Sequence, residues 1–143
     1  MARILVTEKI ADPGLDRLRE AGHTVDIQVG LSPEELIATI PGAAALIIRS
    51  STQVTDEVLA AGTDLVMVGR AGIGLDNVDL EAATRRGVMV VNAPQSNTLS
   101  AAEHTMAMLL ALARNIPQAC AALRKGRWER SQWTGVELAD KTL

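Results

Sequence analysis

Three short segments of this 143-residue chain carry the groups that could do chemistry. They are Arg49-Ser50-Ser51-Thr52, Arg70-Ala71-Gly72-Ile73-Gly74 and Asn92-Ala93-Pro94-Gln95-Ser96-Asn97. Each follows a short apolar run. Together they offer two guanidinium groups, hydroxyls, carboxamides and glycine N–H groups, with no carboxylate inside the three segments and Asp76 the first beyond the glycine turn. That inventory suits a small anion: guanidinium binds carboxylate or phosphate through two parallel bonds, and glycine lets the backbone come close. Singly, each residue has a plainer reading. A strand-end arginine is usually solvated or ion-paired, Gly72 and Gly74 suit an ordinary turn, and Asn97 suits a turn or a helix cap. Their coincidence favours a binding site formed by Arg49, Ser50, Arg70, Gly72 and Asn97.

Other groups are weaker candidates. Gly72-Ile73-Gly74 starts like a dinucleotide fingerprint, but Asn77 occupies the third glycine position and no acidic ribose reader follows at the right distance. His23 falls in a turn on the opposite edge of the expected sheet and reads as solvated. His104 adjoins Glu103, and helix neighbours do not share a face, so a dyad is not expected. Cys120, among alanines, reads as a small packed side chain. No metal-ligand spacing occurs.

The positioning elements follow from periodicity and caps. Strands are expected at Arg3–Thr7, Thr24–Val29, Ala44–Ile48, Leu65–Val68 and Val88–Val91. Helices between them are capped by Asp12 with Pro13, by the Ser32-Pro33-Glu34-Glu35 box, by Thr55 and by Asp79. Apolar strands alternating with helices predict an α/β fold: a flavodoxin-like, doubly wound, five-stranded parallel sheet covered on both faces. The substrate-binding domain is expected over residues 1–97. Residues 98–143 then hold crossing helices. One is opened by a box at Ser100-Ala101-Ala102-Glu103 and runs to about Arg114, apolar on most sides and so expected to be buried between two bodies. A second starts at Pro117 and ends at Gly126. Arg127 to Lys141 has no assignment, and Thr142-Leu143 reads as the first step of a strand.

Composition narrows the classes. Apolar residues are 48% of the chain, which supports a core; without Phe or Tyr, that core is aliphatic. The net charge of −3, with both signs interspersed, predicts no nucleic-acid partner and no membrane partner. One cysteine cannot form an intramolecular disulfide, and the N-terminal apolar run is too short for a signal peptide, so a cytoplasmic location is expected.

The same segments resemble the D-isomer-specific 2-hydroxyacid dehydrogenases. The resemblance runs through Ile48-Arg49-Ser50, Val68-Gly69-Arg70-Ala71-Gly72-Ile73-Gly74-Leu75-Asp76-Asn77-Val78-Asp79, Val91-Asn92-Ala93-Pro94, Asn97 to Glu103 and Ala113 to Ala119. Gly126-Arg127-Trp128-Glu129-Arg130 and Gly135-Val136-Glu137-Leu138 resemble the phosphoglycerate branch in particular. The resemblance implies an NAD-dependent oxidoreductase with a substrate domain followed by a Rossmann domain. It implies substrate contacts from Arg49, Ser50, Arg70, Gly72 and Asn97, and a backbone contact from Ile73 to the nicotinamide end of NAD. The family's catalytic arginine, glutamate and histidine, and its main NAD site, are expected beyond Leu143. The 143 residues alone are therefore expected to be inactive, and to self-associate or form a homo-oligomer through the 100–114 helix. Alternatives are a dehydrogenase of another 2-hydroxy acid, a non-catalytic flavodoxin-like anion-binding module, or an interaction module built on the long helix. A phosphoacceptor receiver is disfavoured, because the ends of strands one and three read Thr7-Glu8-Lys9 and Arg49-Ser50.

Overall fold

The computed structural model describes residues 1–142 and divides into two compact units, Met1–Ser96 and Asn97–Leu143. In the first, β1 (Arg3–Val6), α1 (Asp12–Glu20), β2 (Thr24–Ile27), α2 (Pro33–Thr39), β3 (Ala45–Ile48), α3 (Asp56–Ala61), β4 (Met67–Arg70), α4 (Leu80–Arg85) and β5 (Met89–Asn92) alternate. All strand pairs are parallel and the sheet order is β2-β1-β3-β4-β5, the expected doubly wound arrangement.

Side chains fix most helix starts. Ser32 Oγ accepts from the Glu35 N–H at 3.2 Å, and Glu35 Oε2 accepts from the Ser32 N–H at 2.8 Å, with Pro33 in the first turn. Thr55 and Asp79 cap α3 and α4 as expected. Asp12 does not cap α1. The Gly14 N–H closes on the Ala11 carbonyl at 3.1 Å, so the helix starts one residue earlier and Asp12 lies in its first turn, where the helix dipole favours a carboxylate. Strand β4 runs two residues later than expected. Leu65 closes a turn onto the Gly62 carbonyl instead, and the ladder starts with Met67 opposite Ala45 and Met89. Arg70 is therefore a ladder residue, flanked by Ile48 and Asn92.

The expected cover on both faces is present but unequal. Right-handed crossovers in this order put the β1-to-β2 helix on one face and the other three on the opposite face. Leu36, Ile40, Val58, Leu59 and Ala82 from α2, α3 and α4 enclose Leu5, Leu46, Ile48 and Val68. Among the described residues of the first unit, α1 alone packs on the other face, where Leu15 meets Ile4 and Val6. Over β3 to β5 that face holds a groove of about 520 Å³ with Ile47, Met67, Gly69 and Val91 in its wall.

The second unit comprises α5 (Thr98–Ala113), α6 (Ile116–Arg124) and a 3-10 helix at Arg130–Trp133, inside the stretch that had no assignment. Ser100 is not the cap of α5. The Ala101 N–H donates to the Asn97 carbonyl at 2.8 Å, so the helix begins at Thr98. No residue of α5 is buried, and Leu99, Met108 and Leu112 are largely exposed. Cys120 is also exposed; α6 turns Ala122 inward instead. Among the described residues no single helix is long and apolar enough to cross a membrane; α5 and α6 meet that test only as a pair bent by 63°. Thr142 is irregular, and Leu143, the other half of the expected strand start, lies outside the described residues.

Asn115 makes the elbow between α5 and α6 at a φ of 53°, and its Nδ2 donates to the Thr134 carbonyl at 3.1 Å. Val136 N–H then donates to the Ala113 carbonyl at 2.8 Å. A Cβ on Gly135 would lie 2.5 Å from the Ala113 carbonyl oxygen and 2.8 Å from Arg114 Cα, both backbone atoms that cannot rotate away. Gly135→Ala is expected to cost about 1–3 kcal/mol, the usual range for overpacking, and to free the Val136 amide. Amide exchange checks this; unchanged protection of Val136 would show that the close seat is dispensable.

Candidate anion-binding site

The parallel register puts the C-terminal ends of β1, β3, β4 and β5 on one rim. Ile47 accepts from the Thr7 N–H at 3.1 Å, and Ile48, Arg70 and Asn92 stand side by side. The first unit thus brings Arg49, Ser50, Arg70, Gly72 and Ile73 to one edge. Asn97 belongs to the second unit, where it occupies the N-cap position of α5 without a side-chain capping bond.

The segment after β3 is tied from two sides. Glu8, two residues beyond β1, takes the N–H groups of Arg49 at 2.8 Å, Thr52 at 3.0 Å and Ser51 at 3.1 Å on Oε1, with Ser51 also 3.2 Å from Oε2. From the other side Asn77 Nδ2 donates to the carbonyls of Arg49 at 2.9 Å and Thr52 at 2.6 Å. Asn77 is only 3% exposed, and its Oδ1 is buried with no partner among the described residues. Buried Thr7 shares a 2.9 Å hydroxyl hydrogen bond with Thr52.

These contacts correct the sequence inventory. A carboxylate does stand among the donors: Glu8 takes three backbone amides of the Arg49–Thr52 segment. Burial pushes its carboxyl up, but the amides of Thr52, Arg49 and Ser51 and the Thr52 hydroxyl outweigh that and bring it down to about 2.

Arg70 is also partly committed. Its Nε donates to the Arg49 carbonyl at 3.2 Å, Asp76 Oδ1 stands 3.9 Å from its guanidinium, and its side chain is only 11% exposed. The guanidinium folds over the glycine turn. A Cβ on Gly72 would lie 2.9 Å from it, and one on Gly74 3.5 Å. The turn is fastened to the end of β5 by the Ala93 N–H to the Gly72 carbonyl at 2.9 Å, and by Asn92 Nδ2 to the Ile73 carbonyl at 2.6 Å. Gly72 therefore makes room for the arginine, and Gly74 for the Asp76 carboxylate, 2.7 Å from where a Cβ on Gly74 would lie. Among the described residues this turn does not fit a pyrophosphate, and no step through a dinucleotide is derived from it.

The two arginines face different hollows. Arg70 lines the sheet-face groove, whereas exposed Arg49 lines a concavity of about 280 Å³ with Thr7, Glu8, Lys9 and Gly30. His23 lies at the remote end of the groove, half-buried, its Nδ1 enclosed and without a partner among the described residues, so it is less solvated than its turn position suggested. His104 is exposed on α5, and among the described residues no cluster of ligating side chains could hold a metal.

Residues 4–133 match the family model "D-isomer specific 2-hydroxyacid dehydrogenase, catalytic domain". The chain belongs to that family. It is 54% identical over 142 residues to D-3-phosphoglycerate dehydrogenase 2, chloroplastic, of Arabidopsis thaliana, which covers 99% of this chain and 23% of the relative. The crystal structure of TT0316 protein from Thermus thermophilus superposes with a TM-score of 0.85 and 36% identity, over 95% of this chain and 45% of that one. NAD⁺-bound 3-phosphoglycerate dehydrogenase of Entamoeba histolytica superposes with a TM-score of 0.70 and 30% identity, over 79% of this chain and 39% of that one. The chain spans about a quarter of the length of the curated relatives it matches.

The tied segment has two measurable consequences. A carboxyl depressed on folding stabilises above its ordinary value of 4.5 and loses that effect as pH falls through about 2. Discounted for solvent screening, the effect is about 1–2 kcal/mol at neutral pH. Glu8→Gln should be less stable than wild type by that amount at pH 7, and the gap should shrink by roughly half at pH 3; urea unfolding at both pH values measures it, and a pH-independent gap contradicts the assignment. Asn77→Ala leaves two carbonyls short of a donor and should cost about 2–3 kcal/mol. Asn77→Asp points a carboxylate at those carbonyls and should cost more at neutral pH, recovering on acidification. The reverse order would show that Asn77 acts through packing.

Proposed function

We propose that this chain is the N-terminal, substrate-binding part of an NAD-dependent D-3-phosphoglycerate dehydrogenase, oxidising 3-phosphoglycerate at C2 to 3-phosphohydroxypyruvate in the first step of serine synthesis. The observation that carries the reading is the shared rim: Arg49 follows β3, Arg70 ends the adjacent parallel β4, and the carbonyl of one holds the side chain of the other. Relatives at 46–54% identity carry that enzyme's name, which supports the phosphorylated substrate over other 2-hydroxy acids. In this reading Arg49 and Arg70 neutralise carboxylate and phosphate, the Ser50 and Gly72 backbone completes the grip, and Asn97 is a further expected substrate contact. Ile73 would offer NAD only a backbone contact at its nicotinamide end, and NAD would supply the hydride acceptor. The segment supplies binding and orientation, so the 143 residues alone are expected to be inactive. Self-association through exposed α5, and a cytoplasmic location, are parts of the same proposal.

The test is substrate affinity in the complete enzyme. Arg49→Ala and Arg70→Ala should each lose about 2–4 kcal/mol of binding, the range for a desolvated charge-assisted contact. Gly72→Ala, which displaces only the side-chain end of Arg70, should weaken binding with little loss of stability. Unchanged affinity in both arginine variants removes the site assignment.

A further inference from the structure

We propose that Glu8 is a positioning residue for anion capture: a resident carboxylate that holds segment 49–52 so that the Ser50 N–H and the Arg49 guanidinium are its free donors. The inference rests on the reading that Arg49 and Ser50 grip the substrate anion, and adds the group that arranges them.

Left without Glu8, segment 49–52 would present the N–H groups of Arg49, Ser51 and Thr52 to one point, since all three reach a single carboxylate at 2.8 to 3.2 Å. Converging backbone N–H groups form an anion-binding concavity. A substrate phosphate or carboxylate would have an equally good seat there, below the rim and away from Arg70. Glu8 fills that seat with the chain's own charge. Four consecutive residues thereby sort into three inward amides and one left over, because the Ser50 N–H has no hydrogen-bond partner among the described residues. Ser50 is exposed, as is the Arg49 side chain.

The carbonyl side of the segment strengthens the argument. Asn77 and Arg70 satisfy the Arg49 carbonyl, and Asn77 also satisfies that of Thr52. With both sides occupied, the segment cannot rotate its peptide planes to offer other donors without breaking several hydrogen bonds at once. Arg70 takes part in that fastening and is itself placed to meet the ligand. Glu8 touches neither ligand nor reacting atoms in this arrangement and acts through the loop.

The experiment uses the full 143-residue chain labelled with ¹⁵N, in wild type, Glu8→Gln and Glu8→Ala. Amide exchange should show Arg49, Ser51 and Thr52 protected in wild type and Ser50 open. Glu8→Ala should lose at least tenfold protection at those three, and Glu8→Gln, which keeps an acceptor, should lose less. Titration with 3-phosphoglycerate should shift Ser50 in wild type. In Glu8→Ala, inorganic phosphate should instead shift Arg49, Ser51 and Thr52, a relocation that mere loss of stability does not produce. Core amides such as Leu5 and Val68 report in the same spectra whether each variant is folded; if Glu8→Ala is not, the same comparison is made with Glu8→Gln. Unchanged protection in folded variants, or a Ser50 response retained within twofold, overturns the proposal. If wild type shows no response to 3-phosphoglycerate at Ser50 or Gly72, the anion-grip reading falls, and the exchange pattern still decides whether Glu8 holds the segment.

Discussion

A backbone segment outside regular secondary structure must find partners for its N–H and C=O groups wherever it is shielded from water. Segment 49–52 finds them in side chains from two other parts of the chain, Glu8 after β1 and Asn77 after β4. Neither strand pairing nor helix formation could supply them, since β3 ends at Ile48 and α3 starts at Asp56. The rim therefore depends on side-chain-to-backbone bonds whose partners lie 25 to 44 residues away in sequence. Such a loop is ordered only when the whole sheet is formed. Binding groups placed on it inherit the rigidity of β1, β3 and β4 together, and a ligand then meets donors whose ordering cost was met in folding.

The elements were legible where local chemistry decides them. Alternating apolar runs gave five parallel strands, and Ser32, Thr55 and Asp79 capped the helices they were expected to cap. Expectations failed where a start depends on which carbonyl closes the first turn, as at Ala11 and Asn97. They also failed where the ladder register outweighed the apolar run, as in β4. The site was legible only as a list of donors. Glu8 was read merely as an unsuitable phosphoacceptor, and Asn77 merely as the glycine that was missing. Their roles come from pairings across the sheet, and nothing in a one-dimensional pattern states which carboxylate lies under which loop. The available signal was position: Glu8 follows β1 on the same edge as Arg49, and a strand-end carboxylate beside a donor-rich loop has an evident use.

Cover of the sheet is unequal for a different reason. Strand order controls how the four helices divide between the two faces. One reversal of direction, between β1 and β2, sends a single helix to one side. The strands still carry apolar residues on both sides, so Met67, Met89 and Val91 stay partly or largely exposed over β4 and β5. Hydrophobic pattern reports what a strand can bury; handedness reports what is there to bury it.

The two arginines are not equivalent, and the difference follows from how each is held. Arg70 is nearly buried and hydrogen-bonded to a neighbouring carbonyl, so little rotamer freedom remains to be lost when an anion arrives. Arg49 is exposed, and its side chain must be ordered by the ligand itself. Under the proposed function, a ligand with two acidic groups would meet a fixed guanidinium over the glycine turn and a movable one in the next hollow. The fixed group would penalise an anion whose charge is displaced by even a small distance. The movable group would tolerate variation in ligand length. Discrimination among acids would then reside in Arg70, while Arg49 would contribute affinity with less demand on shape.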